Sequence, residues 1–467
     1  LDSNQYDLII IGAGTAGIPC AIAASKKGAK VLLLDKADDI GGTLHTSGGH
    51  MSAAGTKRQI EKGIIDSVED HRADIHRISN GGARQDLVNL ATELAAPGMD
   101  WLQENGFEFA PEVPRIVYGH EPYSIARTYY GPDAGKSILK VLRKLLETAM
   151  AEGNIELRLN SAVKSLLTKE NSVLGVELAD GSKVLAKNTI LASGGFGANA
   201  QLFEELEKAT LVSAAWPTST GDGILMAREI GAAIAGAGTY LPTFGGLPSP
   251  DGSGRVRWTD RPLLVATERP PYEIYVDRSG NRWVAEDEES IDVKEHALTG
   301  VEAMTFWTIF DSVGLEKSQP MVIDWTIDKF KAQANVLPGV FSGETIEELA
   351  INAGINPEGL QATVAKYNED LVNSRTDEFG RKFRPAPISV GPFYSVQNHA
   401  VTLITFSGID VDDQLRVRKK DGSIISNLYA AGEVLGSAAT MGQSFVGGML
   451  VMPSITFGKY LGERLSS

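Results

Sequence analysis

The sequence predicts an α/β chain: a Rossmann-like domain on a parallel sheet with a small β-meander, into which an α+β cap is inserted. Three observations predict it. Within residues 6–36 an apolar strand, a Gly-x-Gly-x-x-Gly turn, a small-residue helix and a second strand ending in an acid follow one another. A second strand–glycine–acid unit, Asn427 to Glu433, lies near the other end of the chain. Between them the composition shifts at residue 236 toward Gly, Pro, Tyr and Trp, as for an inserted unit.

The opening unit carries the most chemistry. The apolar run Leu8–Ile11 enters Gly12, Gly14 and Gly17, with Ala16 inside the turn. Gly12 permits the tight turn, Gly14 lets a pyrophosphate approach the backbone, and Gly17 lets helix and strand pack closely. The helix N-terminus faces the phosphate charge. Ile18, Ala21 and Ile22 recur at helical spacing, and Val31–Leu34 then ends in Asp35 and Lys36. Asp35 stands where a carboxylate holds a ribose hydroxyl.

Composition narrows the function classes. The 467 residues are 43% hydrophobic, enough for two substantial cores. The 50 glycines exceed the usual ~7% and cluster in short runs, which suits backbone approach to a large cofactor. A net charge of −15 argues against nucleic acid or an anionic membrane surface as partner. The single cysteine, Cys20, excludes an internal disulfide and a cysteine-cluster metal site, and the seven histidines show no metal-ligand spacing, so no metal is expected. No apolar run reaches ~18 residues and no signal peptide is visible, so a soluble cytoplasmic protein is expected.

The remaining elements follow in order. Residues 41–56 form a Gly/Ser/Thr/His loop, and 57–110 have helical spacing with two helices expected on either side of Pro97. Residues 111–133 read as a long irregular segment, and 135–153 as an amphipathic helix. Residues 155–159, 162–167, 175–178, 182–186 and 188–192 read as strands, the middle three as a meander turning at Asp180-Gly181. A helix is expected over 221–235. Residues 345–375 form two helices behind the capping box Thr345-x-x-Glu348, followed by a polar linker, 373–384. The expected domains are 1–235 with 386–467 for the cofactor and 236–385 for the cap.

The two glycine–acid units together resemble FAD-binding oxidoreductases, specifically the fumarate reductase and 3-ketosteroid dehydrogenase superfamily. Gly41-Gly42-Thr43 with Ser47-Gly48-Gly49 is similar to the loop over the flavin in ketosteroid dehydrogenases. Ala192-Ser193-Gly194-Gly195-Phe196-Gly197 is similar to the second glycine strand, Gly221-Asp222-Gly223 to the helix start at the cap entrance, and Phe445-Val446-Gly447-Gly448 with Phe457-Gly458 to the C-terminal flavin helix. The resemblance implies FAD, with Ala162 and Val163 at the adenine, Gly432 and Glu433 at the ribityl chain, and Gly447, Gly448, Met449 and Leu450 at the flavin. Gly42 aligns with the flavin-linking histidine of membrane-bound relatives, which implies non-covalent FAD. His45 and His50 lie nearby as loop residues.

Members of this superfamily move a hydride between flavin and carbon while a proton moves on the neighbouring carbon. Fumarate reductases clamp a dicarboxylate with arginines and histidines. Here Phe445 replaces the C-terminal clamp arginine, Leu403-Ile404 replace two histidines, Leu241 replaces another, and Ser290 stands where a proton-shuttling arginine is expected. A dicarboxylate is not buried without paired cations, so the substitutions point to a neutral substrate. The resemblance then implies α,β-desaturation of a cyclic ketone such as a 3-oxosteroid or an oxocyclohexane carboxylate, with α-proton abstraction and β-hydride transfer to flavin N5. Gly448 fits the peptide N–H donor to the ketone; Ser444 holds the position of the family's polarising tyrosine. Tyr118, Tyr123, Tyr240 and Tyr272 are candidate bases, and Arg127, ahead of Arg115, a clamp for a single carboxylate. Trp216 and Trp258 read as pocket wall or core, Glu286–Glu289 as a solvated acidic turn, and His296 as a satisfied helix residue. The alternatives are a flavin-dependent reductase of an activated C=C and a non-catalytic redox sensor. The electron acceptor stays open among oxygen, a quinone and a carrier protein.

Overall fold

A computed structural model describes residues 6–249, 251, 255–257 and 260–466, so Trp258 lies outside the described residues. Two sheets organise the chain. The larger has eight strands. At its centre strand Tyr6–Ile11 pairs in parallel with Val31–Leu34 on one side and Lys183–Leu191 on the other. Ile155–Arg158 extends one edge in parallel, and Ile424–Ala430 pairs in parallel with Lys183–Leu191. Buried on both faces, Tyr6–Ile11 and Val31–Leu34 at the centre are near-continuous apolar runs, as parallel sheets require.

Two expectations are corrected here. Residues 182–186 and 188–192 are one strand, Lys183–Leu191. Its first residues pair antiparallel with the meander strand Ser172–Leu178, and its remainder pairs in parallel with Tyr6–Ile11. The polar Lys187 and Asn188 mark the change of partner, not a break. Pro97 likewise separates nothing: Gln85–Glu104 is one helix with Pro97 inside it. Pro97 lies on the exposed face, as does Glu93 one turn earlier, whose released carbonyl can turn to water. The inner face of that helix sets Gly98 against Met452 and Thr456 of the helix Val451–Arg464.

The helix Gly17–Lys26 packs against Val451–Arg464 so closely that a Cβ on Gly458 would stand 2.0 Å from the Ala16 carbonyl oxygen. The early and late parts of the chain thereby share one hydrophobic core.

The smaller sheet has five strands. Its centre is Phe393–Val401, which pairs antiparallel with Thr243–Phe244, Thr305–Phe310 and Val340–Gly343. This sheet therefore takes in residues up to 401, past the expected boundary at 386; the apolar strand pattern there reads the same in either domain. Tyr240 and Leu241, expected in the cap, belong to the core of the larger domain. The expected linker 373–384 is tied down by Asp377 and Arg381, both buried and paired through Arg282 and Glu286. Glu286 is thus the centre of a buried ion network, not part of a solvated turn. Among the described residues no helix is long and apolar enough to cross a membrane.

Candidate active site

The glycine turn opens onto a cleft at the carboxyl ends of the parallel strands, where ligands of open α/β sheets bind. The cleft's non-atom space, open solvent included, is about 1080 Å³. Gly12 turns with φ of +108°, and a Cβ there would stand 2.3 Å from the Ala192 carbonyl oxygen. Of the expected cofactor residues, Gly12, Gly14, Ala16, Asp35, Lys36, Gly42, Thr43, Ser47, Val163, Ser193, Gly194, Asp222, Gly432, Glu433 and Leu450 line the cleft. Gly17 serves helix–strand packing instead. Gly48, Gly49, Ala162, Gly447, Gly448 and Met449 do not line it either. Gly49 backs onto the helix start at Ala134-Gly135, and Gly448 onto Met51-Ser52. The Ala162 carbonyl is held by the Ala179 N–H, and the Met449 carbonyl by the Thr440 hydroxyl.

The polar groups in the cleft are fixed from behind. Asp35 accepts from the Ala13 N–H at 2.7 Å and the Ala37 N–H at 2.8 Å, which leaves carboxylate lone pairs for a ribose. Lys36 donates to Asp222 at 2.7 Å and to Thr220. Glu433 accepts from the Thr405 N–H at 3.0 Å. Burial pushes its carboxyl up to about 7, against the bonds from Thr405. Ser193 Oγ and Trp216 Nε1 are buried and lack partners, although both residues line the cleft. Unpartnered buried polar atoms on a cleft wall call for a ligand. Trp216 also stacks on His45, ring centroids 5.3 Å apart. This donor and acceptor set fits FAD: a glycine turn for the pyrophosphate, Asp35 for a ribose, and Glu433 for the ribityl chain. Replacing Glu433 by leucine is expected to weaken flavin retention about 10- to 100-fold, the loss of a hydrogen bond to a charged group. Flavin fluorescence released on dilution measures it.

The expected catalytic residues separate. Tyr118 is 66% exposed, at the surface. Tyr123 is buried and donates to the Gly447 carbonyl at 2.6 Å; burial raises its pKa. Its role here is to hold the glycine loop. Tyr240 is buried between Phe203 and Phe406, bonded to Thr402 at 3.0 Å, and burial raises its pKa too. Tyr272 packs on Phe383 in the cap. Ser444 is buried beside Phe445. Arg127 is no clamp: it is fully buried, with its guanidinium on Asp66 at 2.7 Å and Asp74 at 2.6 Å. Arg115 lies over the Tyr130 ring. The 115–130 segment thus packs largely through its own aromatics and ion pairs.

One cluster was not visible in the sequence. The cap helix Ile291–Leu298 carries Asp292, Glu295 and His296 on one face. His296 bonds the Gln443 carbonyl at 2.9 Å and the Asp292 carbonyl at 2.7 Å, the satisfied role expected of it. Asp292 pairs with His120 at 3.1 Å, and the His120 ring lies 4.2 Å from that of Phe445. Atoms of His120, Asp292 and Glu295 come within 4.8 Å of one another. The only sequence signal was a pair of acids three apart on a short helix. Thr15 of the glycine turn and Ile404 also line the cleft, as do Ser161, Thr218, Ser219 and Ser454, which no motif announced.

A dinucleotide cleft of this kind, at the carboxyl ends of a parallel sheet, is that of the flavin-dependent oxidoreductases. The chain belongs to the FAD binding domain family, whose match runs over residues 7–448. It is 30% identical to the probable fumarate reductase Ifc3 of Shewanella frigidimarina (strain NCIMB 400), covering 99% of this chain and 75% of that protein. It is 24% identical to the 3-oxosteroid 1-dehydrogenase of Mycobacterium tuberculosis (strain ATCC 25618 / H37Rv), covering 97% of each. The open conformation of a flavocytochrome c3 fumarate reductase is similar with TM-score 0.74 at 28% identity, covering 99% of this chain and 78% of that one. The 3-ketosteroid Δ1-dehydrogenase from Sterolibacterium denitrificans, in complex with 1,4-androstadiene-3,17-dione, has TM-score 0.77 at 22% identity, covering 99% and 100%; at that identity the likeness shows the fold. The protein is a flavin-dependent oxidoreductase with FAD as its cofactor, and its relatives include both reductases and dehydrogenases.

Proposed function

We propose that the protein desaturates the α,β C–C bond of a neutral cyclic ketone, with a 3-oxosteroid or a smaller oxocyclohexane ring as substrate class. The observation that carries this reading is that apolar side chains stand where the resemblance places the cations that clamp a dicarboxylate. Leu241 is 4% exposed, Ile404 lines the flavin cleft, and Phe445 lies against His120. Arg127, the cation favoured in the loop, is committed to Asp66 and Asp74. Bringing a dicarboxylate against this wall would leave charge unpaired at a cost of several kcal/mol per ion, of order ~5 or more. FAD supplies the hydride-accepting centre when bound.

The chain's own groups do the rest. Tyr123 holds the Gly447-Gly448 backbone through the Gly447 carbonyl, and in this reading the Gly448 peptide N–H donates to the ketone oxygen. Leu241, Ile404 and Phe445 exclude water. Polarising the ketone acidifies the α-C–H. FAD is held non-covalently in this reading.

Anaerobic mixing tests it. The oxidised holoprotein is expected to lose its blue-region absorbance on adding a saturated cyclic ketone and to be unaffected by succinate. Bleaching by succinate, or reoxidation of the reduced protein by fumarate and not by a cyclic enone, would overturn it. Reduction of an activated C=C is the second reading, favoured by the 30% identity to a probable fumarate reductase. Rapid reoxidation by a neutral enone with no ketone-driven bleaching would select it.

A further inference from the structure

We propose that Glu295, in its neutral form, is a hydrogen-bond donor to the substrate carbonyl oxygen, with His120 and Asp292 setting its environment. This rests on the carbonyl-substrate reading above and adds the donor that Ser444 leaves in question.

The helix Ile291–Leu298 begins at Ser290, whose hydroxyl accepts from the Val293 N–H. It turns Asp292 and His296 toward the loop that carries Phe445, and Glu295 toward His120 and Thr243. Asp292 is fully engaged: it accepts from the Glu121 N–H at 3.0 Å, from the Phe445 N–H, and pairs with His120. Burial works against a charged His120, but the bond to Asp292 and its charge raise the His120 pKa. Glu295 differs. It is 2% exposed and its Oε1 has no partner.

The groups facing Glu295 come from four segments. His120 stands on the 111–133 loop, Asp292 and Lys294 on its own helix, Thr243 on the strand Thr243–Phe244, and Tyr240 just before that strand. Burial, with the Asp292 charge, raises the Glu295 carboxyl to about 8, against His120, Thr243 and Lys294. A second buried anion beside Asp292 is disfavoured, so the proton stays on. A buried O–H lacking an acceptor is a donor awaiting one, and a carboxylic acid kept neutral by its surroundings can serve as such a donor. A divalent cation is the rival occupant. It would require Asp292 and His120 to release each other, whereas the ion pair already neutralises Asp292.

Three measurements on the holoenzyme test the assignment. The infrared band of a neutral buried carboxyl is expected to fade as pH rises through about 8 and to be missing in Glu295→Gln. With p-nitrophenol as probe, its phenolate oxygen standing in for the polarised carbonyl, Glu295→Leu is expected to bind at least ~10-fold more weakly. Glu295→Gln, which retains an N–H donor, stays within about threefold of wild type. With a 3-oxosteroid, wild-type turnover falls above about pH 8, and the Gln variant lacks that limb. Stability separates folding from function. The folded-state pKa of Glu295 lies above its ordinary 4.5, so its contribution is present at low pH and lost as pH rises through about 8. The Gln variant is therefore expected to melt no lower than wild type at about pH 9.

An unchanged carboxyl band in Glu295→Gln, or equal phenolate affinity in wild type and Glu295→Leu, overturns the assignment. So does activity that is lost to a chelator and restored by Mn2+ only when Glu295 is present. If the infrared and phenolate results hold while no ketone is turned over, the donor stands and the desaturase reading falls.

Discussion

Replacing Arg127 by leucine will leave the protein about 3–5 kcal/mol less stable, or unable to accumulate, whatever substrate is present. The guanidinium is fully buried and bridges Asp66 and Asp74, with three contacts between 2.6 and 3.0 Å. Removing it strands Asp66 without a counter-charge and leaves Asp74 with Arg77 alone. Lysine offers one point charge where the site needs a fork, so Arg127→Lys is expected to recover only part of the loss. Urea unfolding of the flavin-free protein reads the difference directly. A leucine variant of wild-type stability but raised KM would restore Arg127 as a substrate clamp. The pair also carries a pH signature. Burial works to raise the Asp74 carboxyl, yet the bonds from Arg77 and Ser124 and the charge of Arg127 hold it below the ordinary range. A depressed carboxyl contributes stability above its unfolded pKa and loses it as pH falls through the folded one. The wild type should therefore lose this contribution only in acid, at about pH 4 and below.

Gly14→Ala and Gly17→Ala will fail in different ways, although both glycines belong to one motif. A Cβ on Gly14 meets no protein atom within 4 Å. The apoprotein is expected to fold normally and to lose FAD almost completely, because the methyl occupies the approach of the pyrophosphate. A Cβ on Gly17 would stand 1.8 Å from the Gly12 carbonyl oxygen. Helix and strand must then separate, and soluble protein as well as flavin is expected to disappear. Flavin-to-protein absorbance ratio together with the apoprotein melting temperature distinguishes the outcomes. Equal loss of folded apoprotein in both variants would mean that Gly14 is a packing residue.

What could be read in the sequence divides along physical lines. The strand, glycine turn, helix and acid of residues 6–36 were legible because each acts on near neighbours at fixed spacing. Glu433 was legible for the same reason, at the end of an apolar strand. Pro97 misled because local rules say that proline interrupts a helix; here an exposed face and tertiary packing of Gly98 override them. The strand Lys183–Leu191 was split because a change of pairing partner leaves a polar step in an otherwise apolar run. Arg127 resembled a clamp because the sequence does not show that Asp66 and Asp74 close around it. Asp292 and Glu295 had no local signal, since their meaning comes from His120 and Phe445, which reach them from distant parts of the chain. Phe393–Val401 would suit either sheet by its pattern alone, so its place in the smaller sheet had no local signal.

The contact between Gly17–Lys26 and Val451–Arg464 has a consequence for biosynthesis. A ribosome delivers the first helix several hundred residues before its neighbour, so the nucleotide cleft waits, half walled, until that neighbour emerges. Cofactor capture should therefore be a late event that follows emergence of Val451–Arg464. Nascent chains stalled ahead of residue 451 would then bind no flavin, although the glycine turn emerged long before.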